Sequence, residues 1–305
     1  MFIFFVIPMI TFFTLESLLW KRNRKSPLET LFGTTTWSLI VVTVAFLVTL
    51  TFVSNVFQAI SWEIIGFTAL QVVLVIVNII LWVNIMKSMP LSIAEPLALF
   101  RIVVMTVAAW LIFGGAITTL QIIFGSVIVA ACCILAFLRG RKREKNNSTI
   151  CRGGNLPPVN YARGIICLVF WIATSVGLGL IIQHIMRQGV RPITHAWIQT
   201  GMIFVAVLTF YIITRAKQLP TVFKSTFRDI NHAGIGLGGV GGRVMFSFAL
   251  SIFAMNVGVL NAINVATVAL VVLLSALFYK ERVPWYSYAL IAIIVGSATV
   301  ISLGI

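Results

Sequence analysis

Long apolar runs separated by short polar links dominate this chain. Ten runs can be delimited, at residues 2–20, 34–56, 64–86, 91–113, 119–138, 163–185, 195–214, 237–257, 260–279 and 286–304. Within each, apolar residues are continuous rather than alternating, the pattern of a lipid-embedded helix and not of a barrel strand. A helix of about 20 apolar residues crosses a hydrocarbon core of about 30 Å. The pattern therefore predicts an all-α polytopic membrane protein of ten transmembrane helices. The third and fourth runs, and the eighth and ninth, are joined by very short links.

Composition agrees with that class. Of the 305 residues, 60% are hydrophobic and only 10% charged, which excludes a soluble globular domain of this length. The first run has no basic residue before it and no small-residue cleavage site, and KRNRK follows it, so it reads as a retained helix rather than a signal peptide. The four cysteines form no framework: Cys132, Cys133 and Cys167 lie inside apolar runs and Cys151 in a loop. No zinc or haem spacing is present, so no metal site and no cofactor are expected.

The net charge of +15 changes the picture through its distribution. Eighteen Lys and Arg residues fall on the links after runs one, three, five, seven and nine; two, Arg187 and Arg191, fall on the opposite side, and Arg101 and Arg243 lie within or at the edge of runs. By the positive-inside rule the eighteen are cytoplasmic, which places the central loop inside and both termini outside a cell or inner membrane. The basic excess is then a topology signal and a contact for anionic membrane lipid, with no nucleic-acid partner implied. Overlapping sequons at Asn146 and Asn147 face the cytoplasm on this orientation and stay unmodified.

The segment RGRKREKNNSTICRGGNLPPVNYARG divides the runs five and five. Residues 1–138 and 163–305 thus form two halves about a basic linker, 139–162. Runs four and five, and runs nine and ten, share one pattern: a long helix, a tight turn, then a shorter helix with a mid-helix glycine, Gly125 or Gly296. Aligning Gly115 with Glu281 sets Glu95 opposite Asn261. Because five is odd, the halves insert with opposite orientation, and inverted repeats of this kind hold a substrate site near mid-membrane.

Three stretches carry a resemblance to a known family. RGIICLVFWIATSVGLGLIIQHIMRQGVRPITHAWIQTGMIFVAVLTF resembles the opening of an EamA-like repeat of the drug/metabolite transporter superfamily. LFYKERVPWYSYALIAIIVGSATVI resembles the end of that repeat, and KSMPLSIAEPLALFRIVVMTVAAWLIFGGAITTLQIIFG is similar to the matching region of the first repeat. The resemblance implies ten helices in a 5+5 inverted arrangement, carriage of small metabolites and alternating access. The chain departs from the family pattern in having GG where the first repeat commonly has a Glu, and Lys280 rather than Gly before Glu281.

Charged groups inside a bilayer are costly and mark candidate sites. Glu95 stands about one turn into run four beside Pro96, whose missing N–H tends to kink the helix. Arg101 follows in the same run; on a straight helix it sits about 120° around from Glu95, poorly placed to pair with it. Glu16 lies near the end of the first run, one turn from Trp20 and Lys21; small multidrug-resistance relatives use a first-helix Glu for proton coupling, and an interfacial salt bridge near the cytoplasmic surface is the other reading. Asn78, Gln183 and Asn261 are the candidate lining residues among the uncharged polar groups. His184 and His195 have no third ligand. GIGLGG matches a dinucleotide fingerprint only formally; with no strand before it, close helix packing or a hinge is the expected role.

These observations predict a secondary transporter of a small organic metabolite or drug, acting as a monomer or homodimer, with Glu95 or Glu16 as candidates for proton coupling. A sugar-phosphate or nucleotide-sugar exchanger, with Arg101 and Arg243 as anion clamps, is one alternative. A structural or lipid-handling membrane protein is the other. No Ser/His/Asp or metal constellation supports an enzyme.

Overall fold

The computed structural model describes residues 3–23, 25–52, 57, 60–113, 117–145, 160–253, 257–279 and 284–303. Within them the chain is all helical. The helices are α1 (Ile3–Arg22), α2 (Pro27–Phe52), α3 (Trp62–Ser88), α4 (Leu91–Ala98), α5 (Phe100–Phe113), α6 (Thr119–Lys145), α7 (Tyr161–Arg187), α8 (Pro192–Arg215), α9 (Leu219–Arg228), α10 (Ile230–Phe253), α11 (Val257–Phe278) and α12 (Trp285–Leu303); a 3₁₀ turn, Ala216–Gln218, precedes α9. Among the described residues, five stretches are long and apolar enough to cross a membrane: Pro27–Thr51, Trp62–Ser88, Leu91–Ile112, Tyr161–Arg187 and Pro192–Arg228. Shorter apolar helices cover Thr119–Leu135, Thr267–Phe278 and Trp285–Ile301.

Local sequence fixes several helix starts. In Ser26-Pro27-Leu28-Glu29 the Glu29 N–H donates to Ser26 Oγ at 3.2 Å, while the Ser26 N–H donates to Glu29 Oε2 at 3.3 Å. This is a reciprocal capping box with proline in the first turn. Thr118 and Gln121 repeat it at the start of α6, at 3.2 and 3.1 Å. Ser61 and Asn160 accept the third N–H of α3 and α7. Between α7 and α8, Gly189 takes φ of 81°, which only glycine adopts without strain.

Three features differ from the sequence expectation. The run at 91–113 stays one apolar stretch, but its helix is interrupted by a turn at Leu99, three residues after Pro96, where the Leu99 N–H turns to Pro96 O at 3.2 Å. Proline has no N–H to give the preceding turn, and its ring crowds the carbonyl four residues back. The basic residues from Arg139 to Lys145, expected in the linker, continue α6 as helix. The link after the seventh run holds the 3₁₀ turn and α9 in place of a loop.

The helices form two compact units, residues 1–80 with 177–254 and residues 81–176 with 255–305; the divisions fall inside α3 and α7. In the first unit α10 packs along α1 and α2, and α2 along α8 and α9. Its main core joins Leu31 and Phe32 to Val72, Val75, Ile203, Val207, Tyr211 and Val222. A second cluster sets Val42 and Phe46 against Ile193 and Val240, with the Phe46 and Trp197 rings stacked at 4.7 Å. In the second unit α12 packs along α6 and α11, and α4 lies against α11.

The glycines of α10 explain its closeness to two neighbours. A Cβ on Gly236 would come within 2.6 Å of Trp37 Cβ and 2.8 Å of Thr34 O on α2. A Cβ on Gly239 would lie 2.8 Å from Glu16 Oε1 on α1. The stretch with a formal dinucleotide pattern is thus a packing surface at small residues.

Candidate functional site in the second unit

The break after Pro96 gives the site its geometry. α4 carries Glu95 and α5 carries Arg101, so the two charges belong to separate helical segments rather than one straight cylinder. The half-buried Glu95 carboxylate acts electrostatically on the Arg101 guanidinium.

Arg101 has a second neighbour that the single-helix view could not supply. Its guanidinium carbon lies 5.3 Å from the centroid of the Trp171 ring on α7. The negative face of an indole attracts a cation, by about 0.5–2 kcal/mol depending on desolvation. Trp171 in turn rests on Trp82 of α3, with ring centroids 4.7 Å apart and 34° between planes. Further along the same two helices, Arg163 Nη2 donates to Asn84 Oδ1 at 2.9 Å. A guanidinium and two indoles thus meet inside the second unit, and the Glu95 carboxylate acts on the guanidinium electrostatically. Such a group combines a cation, a carboxylate and flat apolar surface within one bundle.

The other sequence candidates lie elsewhere. Glu16, in the first unit, is half-buried; its Oε1 accepts from Trp20 Nε1 at 3.2 Å and its carboxylate faces Gly239 of α10. Asn78 on α3 and Gln183 on α7 are half-buried, and Asn78 engages a partner. The side chains of Asn261 and Arg243, and all of Glu281, lie outside the described residues.

Two polar pairings in the first unit could not be read from the sequence, although it singles out both histidines. His195 Nε2 donates to Gln71 Oε1 at 2.8 Å, a buried pair linking α8 to α3. Where α3 begins and α7 ends, Glu63 Oε1 lies 3.4 Å from His184 Nε2 and accepts from Gln188 Nε2 at 3.2 Å. The spacing of His184, in the last turn of α7, and Gln188, just past its end, was the available signal for the second group. For the first, nothing in the sequence pairs α8 with α3. Among the described residues no group of three His, Cys, Asp or Glu side chains could hold a metal ion.

One imidazole sits ahead of the apolar stretch that begins at residue 237. His232, in the first turn of α10, is fully buried, and neither ring nitrogen has a hydrogen-bond partner among the described residues. Its ring fills the space over Gly33 of α2. Burial holds its pKa below the ordinary 6.5; Asp229 pulls the other way, Lys25 reinforces the drop and Glu29 opposes it.

No protein-family model matches the chain, and no curated protein shows significant sequence similarity to it.

Proposed function

We propose that this chain is a secondary transporter of a small organic metabolite or drug, of the EamA-like drug/metabolite type, working by alternating access. The observation that carries the reading is the constellation of Glu95, Arg101 and Trp171. A guanidinium in a long apolar stretch costs about 2.5–3.5 kcal/mol on insertion scales. It is held here against an indole face, beside an acid, on a helix broken by Pro96. Broken helices with charged groups inside a bundle are the usual form of a carrier site.

On this reading the ten apolar runs are ten transmembrane helices in two inverted halves, with the central loop cytoplasmic and both termini outside. One structural fact supports the one-sided charge: the basic link after α1 and the α9–α10 junction are neighbours in the first unit, since Lys25 acts on His232. Glu95 and Glu16 are the proton-coupling candidates, as acids that lie inside apolar runs.

A thermal-shift screen of purified protein over amino acids, nucleobases, sugars, sugar phosphates and cationic drugs tests the reading. At least one solute class raises the melting temperature of the wild type and not of Arg101→Ala. If only sugar phosphates do so, the exchanger reading, which the Arg101 guanidinium favours, replaces the first. If no class does, a structural or lipid-handling role is the better account.

A further inference from the structure

We propose that α9 is a membrane-surface helix that docks anionic lipid headgroups. This proposal is independent of transport. The starting point is chain length: α8 has 24 residues and at about 1.5 Å per residue already spans about 36 Å, enough for a bilayer core. At Arg215 the backbone leaves helical geometry, with φ −145° and ψ 38°, and a 3₁₀ turn leads into α9. The ten residues LPTVFKSTFR therefore follow a completed crossing.

Side chains on α9 sort into three faces. Val222 and Thr226, one turn apart, are buried against the rest of the first unit. Phe223 and Phe227, also one turn apart, are 37% and 51% exposed, and Ile230 just beyond is 72% exposed. Lys224 and Arg228 form the third face, with Arg215 and Lys217 beside the turn; all four are exposed, and none makes an ion pair among the described residues. An aromatic strip next to a basic strip is the profile of a helix lying at the acyl–headgroup boundary. The apolar face enters the lipid, and the cations reach anionic headgroups.

The buried side anchors the helix. Trp37 Nε1 donates to Thr226 O at 3.2 Å, Trp37 meets Phe227 edge-to-face at 5.6 Å, and Phe32 meets Phe223 at 5.4 Å. Anchoring by α2 holds the aromatic strip outward instead of letting it fold into the core. Charge complementarity selects the occupant: four cations beside the strip, with Asp229 the acid at its end, suit an anionic lipid better than a neutral one.

The test places an environment-sensitive fluorophore on Phe227→Cys, or on Phe223→Cys should the first not fold, with Cys132, Cys133, Cys151 and Cys167 replaced by Ala. The full chain is reconstituted in phosphatidylcholine nanodiscs containing about 30 mol% phosphatidylglycerol, and quenching by spin-labelled phosphatidylglycerol is compared with quenching by spin-labelled phosphatidylcholine at equal mole fraction. The expected result is quenching by both, about twofold or more stronger for the anionic lipid, with the preference abolished by Lys224→Gln/Arg228→Gln and by about 0.5 M salt. Equal quenching by the two lipids overturns the proposal. So does absence of quenching, which would place the aromatic strip against protein or water.

Discussion

Arg101 and Trp171, seventy positions apart in the chain, meet with the guanidinium carbon 5.3 Å from the indole centroid. The contact joins the segment after the Pro96 break to α7, and it places a permanent cation against a flat apolar surface in the second unit. Guanidinium and ammonium are not equivalent there, because only the planar guanidinium stacks on the ring and still offers several donors. Arg101→Lys is therefore expected to weaken solute binding by about tenfold, roughly 1.4 kcal/mol, as read by titration of the solute that emerges from the thermal-shift screen. Trp171→Phe, which keeps an aromatic face, should lose less than Trp171→Ala.

Helix packing around α10 makes a separate prediction. Gly236→Leu and Gly239→Leu drive side-chain atoms into Trp37 with Thr34 O, and into Glu16. Overpacking of this kind costs about 1–3 kcal/mol. Both variants should melt earlier in detergent. Gly201→Ala on α8, where nothing lies within 4 Å of an added Cβ, should be neutral or gain about 0.5–1 kcal/mol from helix propensity.

What the sequence revealed, and what it hid, follows from the range of each interaction. The helix-start signals in SPLE and TTLQ act over three residues and appear as capping boxes. Pro96 was legible as a distortion, and the helix is interrupted by one turn residue, Leu99, three positions later. α9 was overlooked because a ten-residue helix with two basic residues reads as a polar link. Its signal was present in the i, i+4 pairs Val222/Thr226, Phe223/Phe227 and Lys224/Arg228. The Arg101–Trp171 and His195–Gln71 contacts join different helices, and periodicity within one helix carries no information about which helices become neighbours.

The buried pair of His195 and Gln71 should behave as a unit. Gln71→Leu leaves the His195 Nε2–H without its acceptor, at a cost of about 1–3 kcal/mol. Adding His195→Phe removes the stranded donor and should recover part of the loss. A double-mutant cycle on thermal or denaturant stability reads this directly, and additive losses would refute the coupling.

His232 gives a pH dependence with a definite sign. Its folded pKa lies below the ordinary 6.5 because burial disfavours the charged ring, so the unfolded chain takes up the proton first as pH falls. Its contribution to stability is constant above that value and is lost progressively below it, down to the depressed folded pKa. Between about pH 7.5 and about pH 5, the wild type should lose more stability than His232→Leu. Parallel melting curves for the two proteins across that window would exclude His232 as the source.

Solute uptake into proteoliposomes tests the central claim most directly, with wild type and Arg101→Ala reconstituted at matched density and the solute chosen by the thermal-shift screen. The account predicts saturable uptake above protein-free vesicles for the wild type, reduced about tenfold or more in Arg101→Ala. Wild-type uptake no greater than that of protein-free vesicles, or undiminished uptake by Arg101→Ala, would contradict it.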